Sequence, residues 1–440
     1  MTAISTVGFR INSAEQLLES VSEPASTVLY VSYGKNTPWA NDSLPNTAVD
    51  RLSDTNEIWR NLIAGKKVTG NDVTLVAKRF TWTSGTVYDQ YDDTSSSLYD
   101  GNTKFYVITS NYNVYKCLYN NNGASSTIEP TYTTSSVNST EADGYIWKYM
   151  YTLNTKEIQR FLSFDWIPVK TLTLDDGSAQ WQVQQAATDG AIDIVLVSNS
   201  GTGYTNSSNI LVTISGDGSG ANATAYVNTT SNTVANIVVT SRGTGYTFAT
   251  ATISGGAGSG ANARVIIGPY GGHGYNPSYE LGAKNVMIDT LIEGSEGNEL
   301  VTSNDFRQIS VIKDPIIYGS SNIFSNSIFT QTLTLALAGS GPEYVADEFV
   351  YQGSSVASST FKGRVLYWDS ANSIMELTEY TGSATATTLN GQISGAYRYI
   401  TSIINPTLKS RSGQVIYMDN MTPVTRAPDQ TENIKIVIKF

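Results

Sequence analysis

The only histidine of the 440-residue chain, His273, lies in the segment GGHGYNPSYE (Gly271–Glu280). A histidine close to tyrosines and a glutamate has the residue types for acid–base catalysis or metal binding. Both roles need partners, and a chain with one histidine and one cysteine, Cys117, lacks the ligand sets of zinc sites and the Cys–His dyads of hydrolases. A Ser–His–Asp arrangement is still open, although no G-x-S-x-G motif accompanies it. We therefore predict that His273 is a polar residue of a glycine-rich turn and is not catalytic.

Two segments, Gly218–Ala223 and Gly258–Ala263, have the G-x-G-x-x-A spacing of dinucleotide-binding loops. In those loops a helix follows, and its N-terminal amides bind the pyrophosphate. Here the segments continue as TAYVN and RVIIG, which are strand formers. We therefore predict hairpin turns, with glycines at positive φ angles, and no nucleotide cofactor.

Acidic residues suggest two further chemistries. Two carboxyl groups about 5–10 Å apart can hydrolyse glycosides, but 38 Asp and Glu residues bring some pairs together by chance. The segment DQYDDTSSSLYDG could bind calcium, yet it departs from the D-x-D-x-D-G spacing of calcium loops. We expect a solvated acidic loop, no metal and no catalytic residue. The acidic residues of this loop are Asp89, Asp92, Asp93 and Asp100.

The composition excludes several classes of protein. The net charge of −11 would repel a phosphate backbone, so we expect no nucleic-acid partner. The single Cys117 excludes an intramolecular disulfide. Residues Met1–Ser20 lack the apolar stretch of a secretion signal, and no run approaches the roughly 18 apolar residues of a membrane helix. We expect a protein that folds in the cytoplasm, does not insert into membranes and has no small-molecule substrate.

Short helices and alternating strands follow one another in the first 165 residues. Three capping boxes predict three helices, the second of which we expect to end at Gly65. These boxes are Ser13-x-x-Gln16, Asp54-x-x-Glu57 and Asn154-x-x-Glu157. Strands are predicted for STVLYVSYG, FYVITS, VYKCLY and GYIWKYMYTL, and the last of them has apolar residues on both faces.

An internal repeat begins near Ala191. The segment IVLVSNSGTGYTNSSNILVTISGDGSGANATAYVN is followed by IVVTSRGTGYTFATATISGGAGSGANARVIIG, and Gly201 corresponds to Gly243, 42 residues further on. A period of about 40 residues is typical of propeller blades, but a propeller needs at least four. We expect the two copies to pack on each other or on another part of the chain.

The segments after the repeat predict a second module and a final strand. Residues 331–404 contain the short alternating strands of a small barrel or sandwich, and we expect the ends of this module to lie close together. In the terminal NIKIVIKF, apolar Ile434, Ile436, Ile438 and Phe440 alternate with other residues. We expect a half-buried strand that pairs with the N-terminal region.

Several segments in a fixed order together resemble the small baseplate wedge subunit of T-even-like contractile-tailed phages, the gene-eight product family. They cover about 26–170, 284–318 and 405–440, about half of the chain. Residues 191–268 and 331–404 have no counterpart in the T-even member and resemble insertions. The matching segments are STVLYVSYGKNTPWANDS, EIWRNLIAGKKV, RFTW, VYKCLY, DGYIWKYMYTL, FRQISVIKDP and SGQVIYMDNMTPVTRAPDQTENIKIVIKF.

The resemblance implies a structural virion protein without enzymatic activity, located in the tail baseplate and assembled in the host cytoplasm. It implies a homodimer that joins other wedge proteins. A carbohydrate-binding adhesin or tail-fibre module is the alternative. The expected fold is mainly β with a few short helices, in an elongated, multi-domain chain of sandwich-like or barrel-like modules. The expected parts are a body (1–180, 271–330, closed by 405–440), the repeat (191–268) and the second insert (331–404).

Overall fold

The computed structural model describes residues 4–23, 27–134, 138–205, 210–297 and 299–440. Met1–Ala3 and Ser26, on which parts of the sequence predictions fall, lie outside these residues. The fold is mainly β with a few short helices, as the sequence predicts. The helices are α1 (Val7–Ser22), α2 (Leu52–Asn61), α3 (Thr155–Arg160), α4 (Ala179–Ala186) and α5 (Pro277–Glu280).

The strands follow one another along the whole described chain. The first fourteen are β1 (Leu29–Gly34), β2 (Leu62–Val68), β3 (Val73–Lys78), β4 (Tyr106–Ile108), β5 (Asn113–Tyr119), β6 (Ser139–Thr140), β7 (Ile146–Thr152), β8 (Trp166–Val169), β9 (Ile192–Thr202), β10 (Ile210–Gly216), β11 (Ser219–Asn228), β12 (Thr233–Thr244), β13 (Ala249–Gly255) and β14 (Ser259–Ile267). The remaining ones are β15 (Asn285–Glu293), β16 (Asp305–Lys313), β17 (Ile328–Thr330), β18 (Leu333–Ala338), β19 (Phe349–Gln352), β20 (Phe361–Asp369), β21 (Ile374–Gly382), β22 (Thr388–Gly391), β23 (Tyr397–Ile404), β24 (Gln414–Thr425) and β25 (Thr431–Lys439).

The chain divides into two compact units. Unit 1 comprises Met1–Glu15, Thr74–Val286 and Lys439–Phe440, and unit 2 comprises Gln16–Val73 and Met287–Ile438. Each unit therefore combines segments that are far apart in the sequence.

Unit 2 contains a five-stranded sheet with the order β17-β2-β1-β16-β24. All its pairs are antiparallel, and Val31 of the central β1 lies opposite Lys66 on one side and Val311 on the other. Aromatic and aliphatic side chains from several of these segments form its core: Tyr30, Trp59, Leu62, Ile312, Phe324, Phe329 and Leu408.

Residues 333–404 of unit 2 form a closed six-stranded barrel with the order β18-β21-β20-β19-β22-β23. Alternate residues of each strand point inward, so that Leu335, Val350 and Leu377 are fully buried in its core. Thr334 at its start pairs with Ile404 at its end. The two ends of this segment therefore lie side by side.

Unit 1 contains the antiparallel sheet β4-β5-β7-β6. Trp147, Tyr149 and Met150 of β7 are all buried, so both faces of this strand are covered, as its apolar residues on both faces predict. Next to this sheet in sequence, β3 pairs with β8, with Leu75 opposite Val169.

The two repeat copies of unit 1 together close one six-stranded barrel, β10-β11-β12-β9-β14-β13. The copies therefore pack on each other, and no propeller forms. Each copy contributes a tyrosine to the other: Tyr204 packs on Gly258, and Tyr246 packs on Gly218. A Cβ atom at either glycine would overlap the tyrosine ring. The G-x-G-x-x-A segments thus begin hairpin strands and accommodate aromatic rings.

Three predicted helix boundaries are wrong, and one is confirmed. Asp54 does not cap α2, which begins at Leu52 after Arg51; its carboxylate accepts the N–H of Val49 from within the helix. Helix α1 starts before Ser13, whose Oγ donates to Phe9 O (2.9 Å), because Thr6 Oγ1 accepts the N–H of Phe9 and caps the helix earlier. Helix α2 ends at Asn61, and Gly65 belongs to β2 instead. Asn154 and Glu157 form the predicted capping box of α3.

The C-terminal strand β25 is half-buried, with Ile434 and Ile436 covered. It lies beside β15, so the prediction that it pairs with the N-terminal region is wrong. The link to that region comes instead from the fully buried Arg426, just before β25. Its Nη1 donates to the hydroxyl of Tyr33 on β1 (2.7 Å), and its Nε donates to Glu432 (3.3 Å).

Candidate functional site

His273 is a buried residue with partners in unit 1, not an isolated turn residue. It is only 2% exposed, and its ring packs edge-on against Tyr91, with 4.8 Å between the ring centres. The glycines around it are required by close approaches. A Cβ atom at Gly272 would overlap the backbone of Thr188, and one at Gly274 would lie 2.6 Å from a Val183 methyl group.

The partner of His273 is Lys116, in the middle of strand β5. The Lys116 side chain is fully buried, and its Nζ lies 2.9 Å from His273 Nδ1. An ammonium group can only donate, so Nδ1 accepts and the neutral imidazole carries its proton on Nε2. The ring of Tyr91 lies 4.2 Å from the same Nζ, which adds a cation–π contact.

Glu280, at the end of α5, balances the charge of Lys116. Its Oε2 accepts from Lys116 Nζ (2.8 Å), and its Oε1 accepts the backbone N–H groups of Gly274 (2.8 Å) and Asn276 (3.2 Å). Asn276 also caps α5 by accepting the N–H of Tyr279. Both carboxylate oxygens are thus satisfied, and they hold the glycine-rich loop in place.

Burial and charge shift the pKa of all three groups. Burial lowers the pKa of Lys116. Burial, together with the positive charge of Lys116, lowers the pKa of His273 below its usual 6.5. Burial alone would raise the pKa of Glu280, but the neighbouring Lys116 holds it at about 2. The cluster is therefore an ion pair with a neutral histidine.

The Lys116–His273–Glu280 cluster is suited to holding segments together rather than to catalysis. Its three side chains are at most 3% exposed, so a substrate cannot reach them in this conformation. Breaking a buried pair by removing one partner is costly, because the other charge stays uncompensated. The cluster joins β5, the glycine-rich loop and α5, which are up to 164 residues apart.

A second ion pair, with a buried carboxylate and a partly exposed arginine, lies between the repeat copies. Asp193 of β9 is 2% exposed, and its Oδ1 lies 2.7 Å from Nε of Arg242 on β12. Arg242 Nη2 also donates to Asp193 Oδ2 (2.9 Å), and Asn138 Nδ2 donates to Oδ1 (2.7 Å). Burial alone would raise the pKa of Asp193, but the charge of Arg242 and the hydrogen bonds from Arg242 and Asn138 lower it.

The acidic loop at 89–100 is not simply solvated, because its carboxylates form ion pairs or accept backbone N–H groups. Arg264 pairs with Asp92 (2.6 Å) and Asp93 (3.0 Å), while Asp89 and Asp100 accept backbone N–H groups. Within the part of the chain that the structure describes, no group of three His, Cys, Asp or Glu side chains could hold a metal ion.

The strands that contain the buried lysines already indicate, in the sequence, that these lysines need buried partners. Lys116 and Lys148 lie opposite each other in β5 and β7, and the residues on either side of each lysine are apolar or aromatic. A lysine in a strand that is covered on both faces must find a buried partner. That requirement predicts a buried acceptor for Lys116, and the structure identifies it as Glu280.

Comparison with known proteins found no matching family model and no matching curated protein. Over the described ranges, no helix is long and apolar enough to cross a membrane.

Proposed function

We propose that this chain is a structural subunit of the baseplate wedge of a contractile phage tail, which assembles with itself and with other wedge proteins. One observation carries the proposal. The sequence segments that resemble the wedge family are distant in the chain, yet those of unit 2 are direct neighbours in one sheet.

The neighbours in this sheet are four separate resembling segments. Strands β2, β1, β16 and β24 come from EIWRNLIAGKKV, the segment that begins at Ser26, FRQISVIKDP and the C-terminal segment, and they pair in that order. In unit 1, VYKCLY and DGYIWKYMYTL likewise pair as β5 and β7. Strands that pair in one sheet depend on one another for their hydrogen bonds. A body shared with the wedge family therefore accounts for the order in which the resembling segments occur.

The segments without a counterpart form closed barrels. A closed barrel has no free edge strands, and one with adjacent ends can be inserted into a loop at low entropic cost. The 333–404 barrel has such ends, because β18 pairs with β23. The ends of the first barrel are also adjacent, since Ile192 lies opposite Ile267, so both barrels have the architecture of additions to an existing body.

The chemistry of unit 1 also supports an assembly role. Its histidine is of the residue type most suited to acid–base catalysis, but it is buried beside the Lys116–Glu280 ion pair. In unit 2, by contrast, the outer face of β23 exposes Tyr397 (60%) and Tyr399 (51%), which alternate with the buried Arg398 and Ile400. Exposed tyrosines on a regular strand are typical of protein interfaces.

Sedimentation equilibrium of the purified chain tests the self-assembly part of this proposal. We expect a homodimer of the 47.5-kDa chain at micromolar concentration. A Tyr397→Ser, Tyr399→Ser variant that stays folded tests whether β23 contributes to the contact. A monomer at all concentrations would contradict the proposed homodimer.

A further inference from the structure

A groove of about 820 Å³ lies in unit 1, between the first barrel and the end of the β5–β7 sheet. Its size is within the range of small-molecule sites. Strands β9 and β12 form one wall, and the turn after β5 together with the start of β7 forms the other.

The barrel wall of this groove carries a preorganised polar surface. It consists of the Asp193–Arg242 ion pair, which Asn138 supports by its hydrogen bond to Asp193. The side chain of Arg242 is still 35% exposed, whereas Asp193 is 2% exposed. The arginine therefore presents donors toward the groove, while its charge is already compensated.

The walls combine amide groups with apolar surface. Asn122 and Asn236 are exposed at the groove, and each amide can both donate and accept. Tyr119, Leu196 and Val238 add aromatic and aliphatic contacts. The donors and acceptors can form hydrogen bonds with neighbouring hydroxyl groups of a ligand, and the apolar side chains can pack against its C–H groups.

Comparison of the two repeat copies separates residues that build the barrel from residues that occur in one copy only. Val195 and Ile237 are equivalent in the two copies and pair with each other, so the internal symmetry axis passes through this wall. The copies agree at Gly201 and Gly243 and at Tyr204 and Tyr246, but Asp193 corresponds to Ala235, and Arg242 corresponds to Ser200. The Asp193–Arg242 pair is thus an asymmetric feature added to a symmetric barrel.

We propose that this groove binds an uncharged oligosaccharide. Among the described residues, the charged members of its lining, Asp193 and Arg242, neutralise each other. The chain as a whole carries a net charge of −11, which disfavours anionic ligands. Amide side chains, an arginine donor and a tyrosine then select for hydroxyl groups. This activity is independent of the proposed assembly role.

Isothermal titration calorimetry on the full chain tests this proposal. The probes are the neutral trisaccharides maltotriose, cellotriose and tri-N-acetylchitotriose, with the anionic sialyllactose for comparison. We expect saturable binding of at least one neutral probe, with a Kd near or below about 1 mM, and weaker binding of sialyllactose. No saturation by any neutral probe, or saturation by sialyllactose alone, would overturn the proposal.

Two pairs of variants locate the site. Val238→Trp narrows the groove and should weaken binding at least about tenfold, whereas Leu211→Trp, at an exposed position on the same barrel, should not. Asn236→Ala should weaken binding about threefold to tenfold through a lost hydrogen bond, and Asn222→Ala is its control. Thermal unfolding confirms that each variant folds. If a folded Asn236→Ala variant binds as the unmodified chain does, the site lies elsewhere and the proposal is wrong.

Discussion

Replacing Glu280 by glutamine is the sharpest test of the buried cluster. Glutamine keeps the size of the side chain and an oxygen that accepts from Gly274 and Asn276. It removes the negative charge beside Lys116, which is fully buried. Breaking a buried ion pair from one side costs about 3–5 kcal/mol of folding free energy.

An independent estimate gives the same magnitude. Lys116 can avoid an uncompensated charge by losing its proton. Moving the pKa of a lysine from 10.5 to neutral pH costs about 4.8 kcal/mol, at 1.36 kcal/mol per unit. Deprotonation of Lys116 therefore limits the loss of folding free energy in Glu280→Gln to about 5 kcal/mol, the upper end of the range for a broken buried pair.

Urea and thermal unfolding of the variants provide the assay. We expect Glu280→Gln to lower the Tm of unit 1 by roughly 6–20 °C, at about 2–4 °C per kcal/mol for a domain of this size. The double variant Lys116→Met, Glu280→Gln should recover part of the loss, because no buried charge remains. The control is Asp165→Asn, which breaks the exposed pair of Lys78 and Asp165 and should cost less than about 1 kcal/mol. Equal Tm values for Glu280→Gln and Asp165→Asn would refute the reasoning.

Three further predictions follow from the same structure. The pKa of His273 is lower in the folded chain than the 6.5 of an unfolded one, so the unfolded chain takes up the proton first. The free energy of unfolding should therefore fall as pH decreases below about 6.5, by at most about 1.4 kcal/mol per pH unit. In urea unfolding between pH 8 and 5, this free energy should depend less on pH in the His273→Gln variant than in the unmodified chain. Gly258→Ala should cost about 1–3 kcal/mol of stability through overlap with Tyr204, whereas Ser254→Ala on the barrel surface should be neutral in thermal unfolding. Replacing 331–404 by a short Gly/Ser linker should leave the rest of the chain folded by circular dichroism and limited proteolysis. An aggregated deletion product would show that this barrel is part of the core.

The sequence predicted the strands well because their patterns are local. The segments VYKCLY and GYIWKYMYTL each indicate a strand, and β5 and β7 are found there. Capping residues were less informative. Ser13 fits a capping box, but it lies inside α1, since a cap depends on where the backbone first turns helical.

Pairings between distant segments were beyond prediction from a single sequence. The repeat showed that two copies exist, but not that they would close one barrel. For the same reason His273 was interpreted as a turn residue without partners, since Lys116 is 157 residues away in the sequence. The structure corrects that interpretation, although the lysine in a fully covered strand had indicated that a buried partner must exist.

We propose that this chain is a wedge subunit of a contractile tail baseplate. An electron cryomicroscopy reconstruction of the intact particle that contains the chain tests this claim most directly. We predict density for this fold in the baseplate, in paired copies around the tail axis and in contact with other wedge proteins. A baseplate that other chains fill completely, with this fold in a fibre or absent from the particle, would contradict the claim.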